Sequence, residues 1–266
     1  MSSLMMTISN NIQTAILAKM FKLDVVGNFT QARLLRNVTS ESLSSVVGQV
    51  LYPFFSEKQN DNNILKEKLI QSLSIISYVT TPLMFLCMLN ANELIRLLYG
   101  DKWLLAIPYF QIFCVGGIFF SLQDVNINII KAKGRSKALF VCNLAKTIYL
   151  CLSLIVCAKF WGIYGFLWAM VFYSILAFLL FAILSTKYIR ASFFYQCSGI
   201  VVNLLIALLP CIVVYYLKSI IVCQSLMSQF TINTVVYLLF FFLVSLITKP
   251  FAFRYFVGKI KRMINR

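Results

Sequence analysis

An all-α integral membrane fold, a bundle of about eight transmembrane helices, is what the sequence predicts, and three observations predict it. Of its 266 residues 61% are hydrophobic and only 12% are charged, where a soluble domain carries about 25% charge. The mean hydropathy is +0.85. Apolar windows of about 20 residues, the length that crosses a bilayer core as a helix, recur from one end of the chain to the other.

Taken in order, the windows lie at 4–21, 38–55, 69–90, 104–130, 138–157, 161–184, 197–217 and 231–248. Asn10, Asn11, Gln13 and Lys19 interrupt the first, and Glu41, Ser44, Ser45 and Gln49 the second, so lipid alone would not accept either. The last five windows are strongly apolar. Pro82 and Pro210 fall inside spans, where each removes a backbone hydrogen bond and permits a kink. Ala158, Gly162, Gly165 and Ala169 recur at steps of four, three and four, which predicts a small-residue face for close helix packing.

The sequence holds 24 Lys and Arg against 8 Asp and Glu, and no His. Imidazole bases, triads and His-based zinc sites are therefore excluded. The basic residues sit in gaps between apolar runs, which points to membrane orientation and away from nucleic acid. Connections 56–68, 131–137 and 185–196 and the tail 249–266 carry fifteen of them; the alternate connections 22–37, 91–103, 158–160 and 218–230 carry seven, leaving Lys19 and Lys146 inside spans. By the positive-inside rule both termini are cytoplasmic. The tail KPFAFRYFVGKIKRMINR, with six positive charges among aromatics, is expected at an anionic membrane surface. Its alternative role is to hold an anionic lipid-linked substrate.

Cys87, Cys114, Cys142, Cys151, Cys157, Cys197, Cys211 and Cys223 contain no CxxC pair and read as small buried hydrophobes. No metal site and no cofactor is expected. The N-terminus has neither a positive n-region nor a small-residue cleavage site, so it does not read as a signal peptide.

Charge at mid-bilayer is costly, so polar residues inside spans mark a protein-lined or watery cavity. Asn11, Ala15 and Lys19 share one face of the first span, and Glu41, Ser45, Gly48 and Tyr52 one face of the second. In the fourth, Asp124, Asn128 and Lys131 follow i, i+4, i+7, flanked by Gln123 and Asn126; the fifth carries Asn143 and Lys146. Lys19, Lys146, Asn11, Asp124, Asn126 and Asn128 are the candidate cavity residues, suited to an anionic pyrophosphate-linked head group. The competing reading is hydrogen bonding between helices, with Asp124 and Lys131 snorkelling to the interface.

The run from Asn10 and Asn11 through Gly27 to Phe29, Ala32 and Arg33, Ser44 and Ser45, to Tyr52 and Pro53 resembles bacterial polysaccharide transporters. These are the Wzx-type O-antigen and lipopolysaccharide flippases of the multidrug/oligosaccharidyl-lipid/polysaccharide exporter superfamily. In the family this stretch is an Asn-rich helix, a loop with Gly-Tyr-Tyr-like and Ala-Arg elements, and a Ser-rich helix ending in a Phe-Pro or Tyr-Pro turn; here the tyrosine element reads Gly-Asn-Phe. A second stretch, Leu97 to Ser136, resembles the family's Gly-Asp-Lys-Trp turn, Pro-containing helix, paired Asn and Gly-Arg-Ser turn. The resemblance covers roughly residues 5 to 190.

It implies a two-lobed helical transporter in the bacterial inner membrane that moves polyprenyl-pyrophosphate-linked oligosaccharide by alternating access, coupled to an ion gradient. No ATP motif is expected, and no GxxxxGK[ST] run occurs. The family has a first lobe before these motifs, so the chain is expected to equal the second lobe, residues 1–190, followed by two further helices in 191–248 and the basic tail 249–266. A truncated product, or a half that pairs with a missing lobe or partner chain, follows from that expectation. The alternatives are an inactive remnant or membrane partner subunit, and a polysaccharide polymerase or acyltransferase; the short connections and missing His speak against an enzyme.

Overall fold

The computed structural model describes residues 2–220 and 225–264. Cys223 and the last two residues of the basic tail lie outside the described residues. Among the described residues every regular element is a helix: α1 (Ser2–Met20), α2 (Leu23–Glu57), α3 (Asn62–Leu89), α4 (Ala91–Tyr99), a 3-10 turn (Asp101–Trp103), α5 (Ala106–Ala132), α6 (Ser136–Ile189), α7 (Phe193–Ile220), α8 (Leu226–Thr248) and α9 (Phe251–Ile264). Five helices, α3, α5, α6, α7 and α8, are long and apolar enough to cross a membrane. The protein is a multi-pass membrane protein.

The 54-residue α6 is two helices. At 1.5 Å per residue a straight rod of that length would measure about 80 Å, yet the Arg135 guanidinium, just before its start, lies 5.2 Å from the ring of Tyr188, near its end. The chain reverses at Gly162 (φ 62°, ψ −148°), a left-handed position that favours glycine. Three residues on, a side chain at Gly165 would stand 2.3 Å from the carbonyl oxygen of Cys157. The small-residue spacing read from the sequence therefore makes a one-residue hairpin turn, and the two apolar windows around it become two passes.

A second departure lies in α2. It begins at Leu23 and runs unbroken to Glu57, so the expected window 38–55 is only its second half and the family-like loop at residues 27–33 is helical here. Its polar first half is tolerated because Asn28, Phe29, Ala32 and Leu35 are buried, with Phe29 edge-on to Phe113 and Phe166 at 5.3 and 5.6 Å. The chain passes through Pro53 without breaking. The turn comes after Glu57, where Asp61 caps α3 by accepting from the backbone N–H groups of Asn63 and Ile64.

The core is built around α5, which packs on α2, α3 and α6, while α1 lies on α6 and α7 on α3. Gly117 on α5 permits a close approach of three helices: a Cβ there would meet the Met84 sulfur of α3 at 2.9 Å and Ser40 of α2 at 3.6 Å. One end of the bundle collects the connections carrying most of the basic residues, as the Lys133 to Gln59 hydrogen bond and the Arg135–Tyr188 contact show. The other end holds α4, the start of α5 and the Gly162 reversal, where Tyr109 of α5 meets Tyr164 of the second limb of α6 at 5.9 Å.

Candidate functional site

A cavity of about 800 Å³ runs from the middle of the bundle toward the basic end, between α1, α2, α5 and both limbs of α6. Its charged lining consists of Arg36, Lys131, Lys137 and Lys146 against Glu41 and Asp124. Gln13, Gln123 and Asn143 add neutral polar groups, and Phe113, Phe120, Met170 and Tyr173 supply apolar wall.

Two of these cations, Arg36 and Lys146, are held by aromatic faces. Arg36, on α2, lies 5.4 Å from the Phe120 ring centroid, and its buried Nε has no hydrogen-bond partner. Lys146, on the first limb of α6, sits 5.7 Å from Tyr173 and 5.0 Å from Phe181 on the second limb. The hairpin at Gly162 creates that arrangement, because it brings residues far apart in sequence side by side. Cation–π contacts of this kind contribute about 1 kcal/mol and, unlike a carboxylate, leave the positive charge available to an incoming anion. Among the described residues neither Arg36 nor Lys146 has a carboxylate within 4 Å.

Asp124 faces α2, where the buried Ser44 hydroxyl donates to its carboxylate. The Gln123 side-chain oxygen is buried in the cavity wall without a partner. The site thus presents excess positive charge, spare donors and apolar surface, which together suit an anionic head group attached to a bulky neutral body. No group of three or more Cys, Asp or Glu suited to a metal occurs among the described residues.

Of the six candidates read from the sequence, Asp124 and Lys146 line this cavity and the other four do not. Asn11 and Lys19 are exposed on the outer face of α1. The inward face lies two residues away, at Gln13 and Leu17, which are 5% and 0% exposed; a shift of two positions turns a helical side chain by about 200°. Asn126 points away from the cavity and accepts a 2.7 Å hydrogen bond from Ser185 of α6, in a node with Gln196 of α7. Asn128 is buried against α2, its side-chain nitrogen 3.6 Å from where a Cβ on Gly48 would stand. Asn126 thus joins α5 to α6 through its oxygen, with its side-chain nitrogen buried and without a partner, and Asn128 lies against α2.

Sequence reasoning missed Arg36, which counted as part of a connection, and the role of Tyr173. Once α2 is one continuous helix, Arg36, Ser40 and Ser44 fall at i, i+4, i+8 and form a polar row along its buried side.

Comparison with known proteins agrees with the resemblance read from the motifs. Residues 1–108 match the family described as Polysaccharide biosynthesis protein. The chain is 26% identical over 158 residues to the lipopolysaccharide biosynthesis protein WzxC of Escherichia coli, covering 59% of this chain and 32% of that protein. It is 21% identical over 179 residues to the teichuronic acid biosynthesis protein TuaB of Bacillus subtilis, covering 67% and 37%. Among solved structures the lipid II flippase MurJ, in an inward closed conformation, superposes with a TM-score of 0.72 at 16% identity, over 91% of this chain and 50% of that one. The chain therefore has the fold of half of that structure, and its matches span about a third of the length of these relatives.

Proposed function

We propose that this chain forms one lobe of a flippase that carries lipid-linked oligosaccharide across the bacterial inner membrane during lipopolysaccharide, O-antigen or exopolysaccharide synthesis. In this reading it is a transporter and not an enzyme, residues 1–190 make the lobe, 191–248 two appended helices and 249–266 a cytoplasmic tail. The observation that carries it is the cavity itself, in which Arg36 and Lys146 rest on aromatic rings and four cations (Arg36, Lys131, Lys137 and Lys146) line the space against two carboxylates (Glu41 and Asp124).

The chemistry follows from those groups. A polyprenyl pyrophosphate head is dianionic or more, and a concave site whose cations outnumber its carboxylates raises its local concentration. The basic end faces the cytoplasm by the positive-inside rule, so the cavity admits substrate from the side on which it is made. Phe113, Phe120 and Met170 give the sugar rings and upper prenyl units apolar surface. Transfer to the far side then requires the partner lobe to close one entrance and open the other. The names of the relatives, two polysaccharide biosynthesis proteins and a lipid II flippase, support the same substrate class.

The test is made at the native locus. Arg36→Gln with Lys146→Gln is expected to abolish surface polysaccharide and leave its lipid-linked precursor on the cytoplasmic leaflet, with membrane levels of the protein unchanged. Lys146→Arg is expected to retain export. Undiminished surface polysaccharide in the double variant would refute the reading.

A further inference from the structure

We infer that α9 is an interfacial helix that binds the anionic phospholipid head groups of the leaflet at the basic end, and through them fixes α8 against α3. Only Lys249 and Pro250 separate it from the apolar span α8, and Lys249 turns the chain with φ 44°. Its 14 residues amount to about 21 Å, short of the roughly 30 Å needed to cross. A helix so short, tied so closely to a spanning one, lies at the interface.

Its two sides differ. On one, Ala252 is fully buried, Phe253 packs on Phe242 of α8 at 6.0 Å and Phe256 on Tyr78 of α3 at 6.4 Å. Beyond the first turns the bundle no longer covers that side, and Val257 and Met263 are 47% and 71% exposed. On the other side Arg254, Lys261 and Arg262 are exposed, and Lys259, also exposed, stands at the edge of the apolar side one turn beyond Phe256. No Asp or Glu follows Asp124 in the sequence, and none of these cations has a carboxylate within 4 Å among the described residues. Uncovered apolar residues below and unpaired cations above match the acyl boundary and a layer of phosphate head groups.

The mechanical link is Tyr78. Its ring touches Phe256 of α9 and Phe241 of α8, and its hydroxyl donates to Ser245 of α8 at 2.9 Å. Whatever holds α9 flat therefore also holds the end of α8.

Hydrogen–deuterium exchange of the full chain in nanodiscs tests this, comparing phosphatidylcholine alone with a mixture containing phosphatidylglycerol. Peptides covering α9 and the end of α8 are expected to exchange more slowly in the anionic bilayer, and high salt to remove the difference. Lys259→Gln, Lys261→Gln and Arg262→Gln together are expected to weaken the preference on the order of a hundredfold, while the three-fold Lys/Arg interchange at these positions keeps it and controls for folding. Equal protection in both bilayers would overturn the inference, as would protection conferred equally by a soluble polyanion in the neutral bilayer.

Discussion

The α7–α8 hairpin and the cavity both place polar side chains inside an apolar bundle, and they treat them in opposite ways. Where α7 and α8 dock on α3 and α4, partners match. Asn203 donates to the Ser74 carbonyl and the Ser77 hydroxyl at 2.8 and 2.7 Å. Asn233 accepts from Gln229 and donates to Asn90, Tyr237 donates to the Ala207 carbonyl, and Lys218 pairs with the buried Glu93 at 2.7 Å. In the cavity Arg36 and Gln123 keep buried atoms without partners. Matched groups fasten helices, whereas unmatched ones lining a void wait for something else to complete them.

That contrast can be broken by mutation. The largest effect is expected at Lys218→Ala, which leaves the Glu93 carboxylate, 2% exposed, without its ion pair; a loss of about 3–5 kcal/mol follows, read as a lower unfolding temperature in detergent, and Glu93→Gln in the same chain restores most of it. Gly165→Ala comes next. Its Cβ would stand 2.3 Å from a backbone oxygen, and forcing the hairpin limbs apart costs about 1–3 kcal/mol, visible in the same melt and as lost export because Lys146 and Tyr173 separate.

Asn203→Leu removes two interhelical hydrogen bonds at once and is expected to destabilise by about 1–2 kcal/mol, with faster amide exchange in α7. The smallest effect on stability is expected from Arg36→Met or Lys146→Met, up to about 1 kcal/mol for the lost cation–π contact, although export falls. A melt as damaged as that of Lys218→Ala would mean that the cavity cations are structural, and the contrast would be lost.

Much of the fold was legible because hydropathy alone marks a membrane passage. α3, α5, α7 and α8 coincide with apolar windows, and the two windows on either side of Gly162 are the two limbs of α6. The first half of α2 was not, since Asn28, Arg33 and Arg36 lower its hydropathy and only tertiary burial of Phe29, Ala32 and Leu35 makes it a helix. In the site, charge inside a span singled out Asp124 and Lys146. Which way a polar residue points was harder: Asn126 and Asn128 look like Asp124 in sequence, and only the neighbours Ser185 and Gly48 reveal that they face other helices. On α1 periodicity gave the right stripes without saying which stripe was inner.

The reversal at Gly162 also governs how the protein is made. With a single residue between its two limbs, there is no extramembrane loop to translocate, so the pair must leave the insertion machinery together as one hairpin. Its first limb carries Lys146 into the bilayer while Tyr173 and Phe181 follow a few seconds later in synthesis, and only then is that charge sheltered. An epitope tag placed at this turn would split the shelter, whereas one in the connection at residues 58–61 would leave it whole.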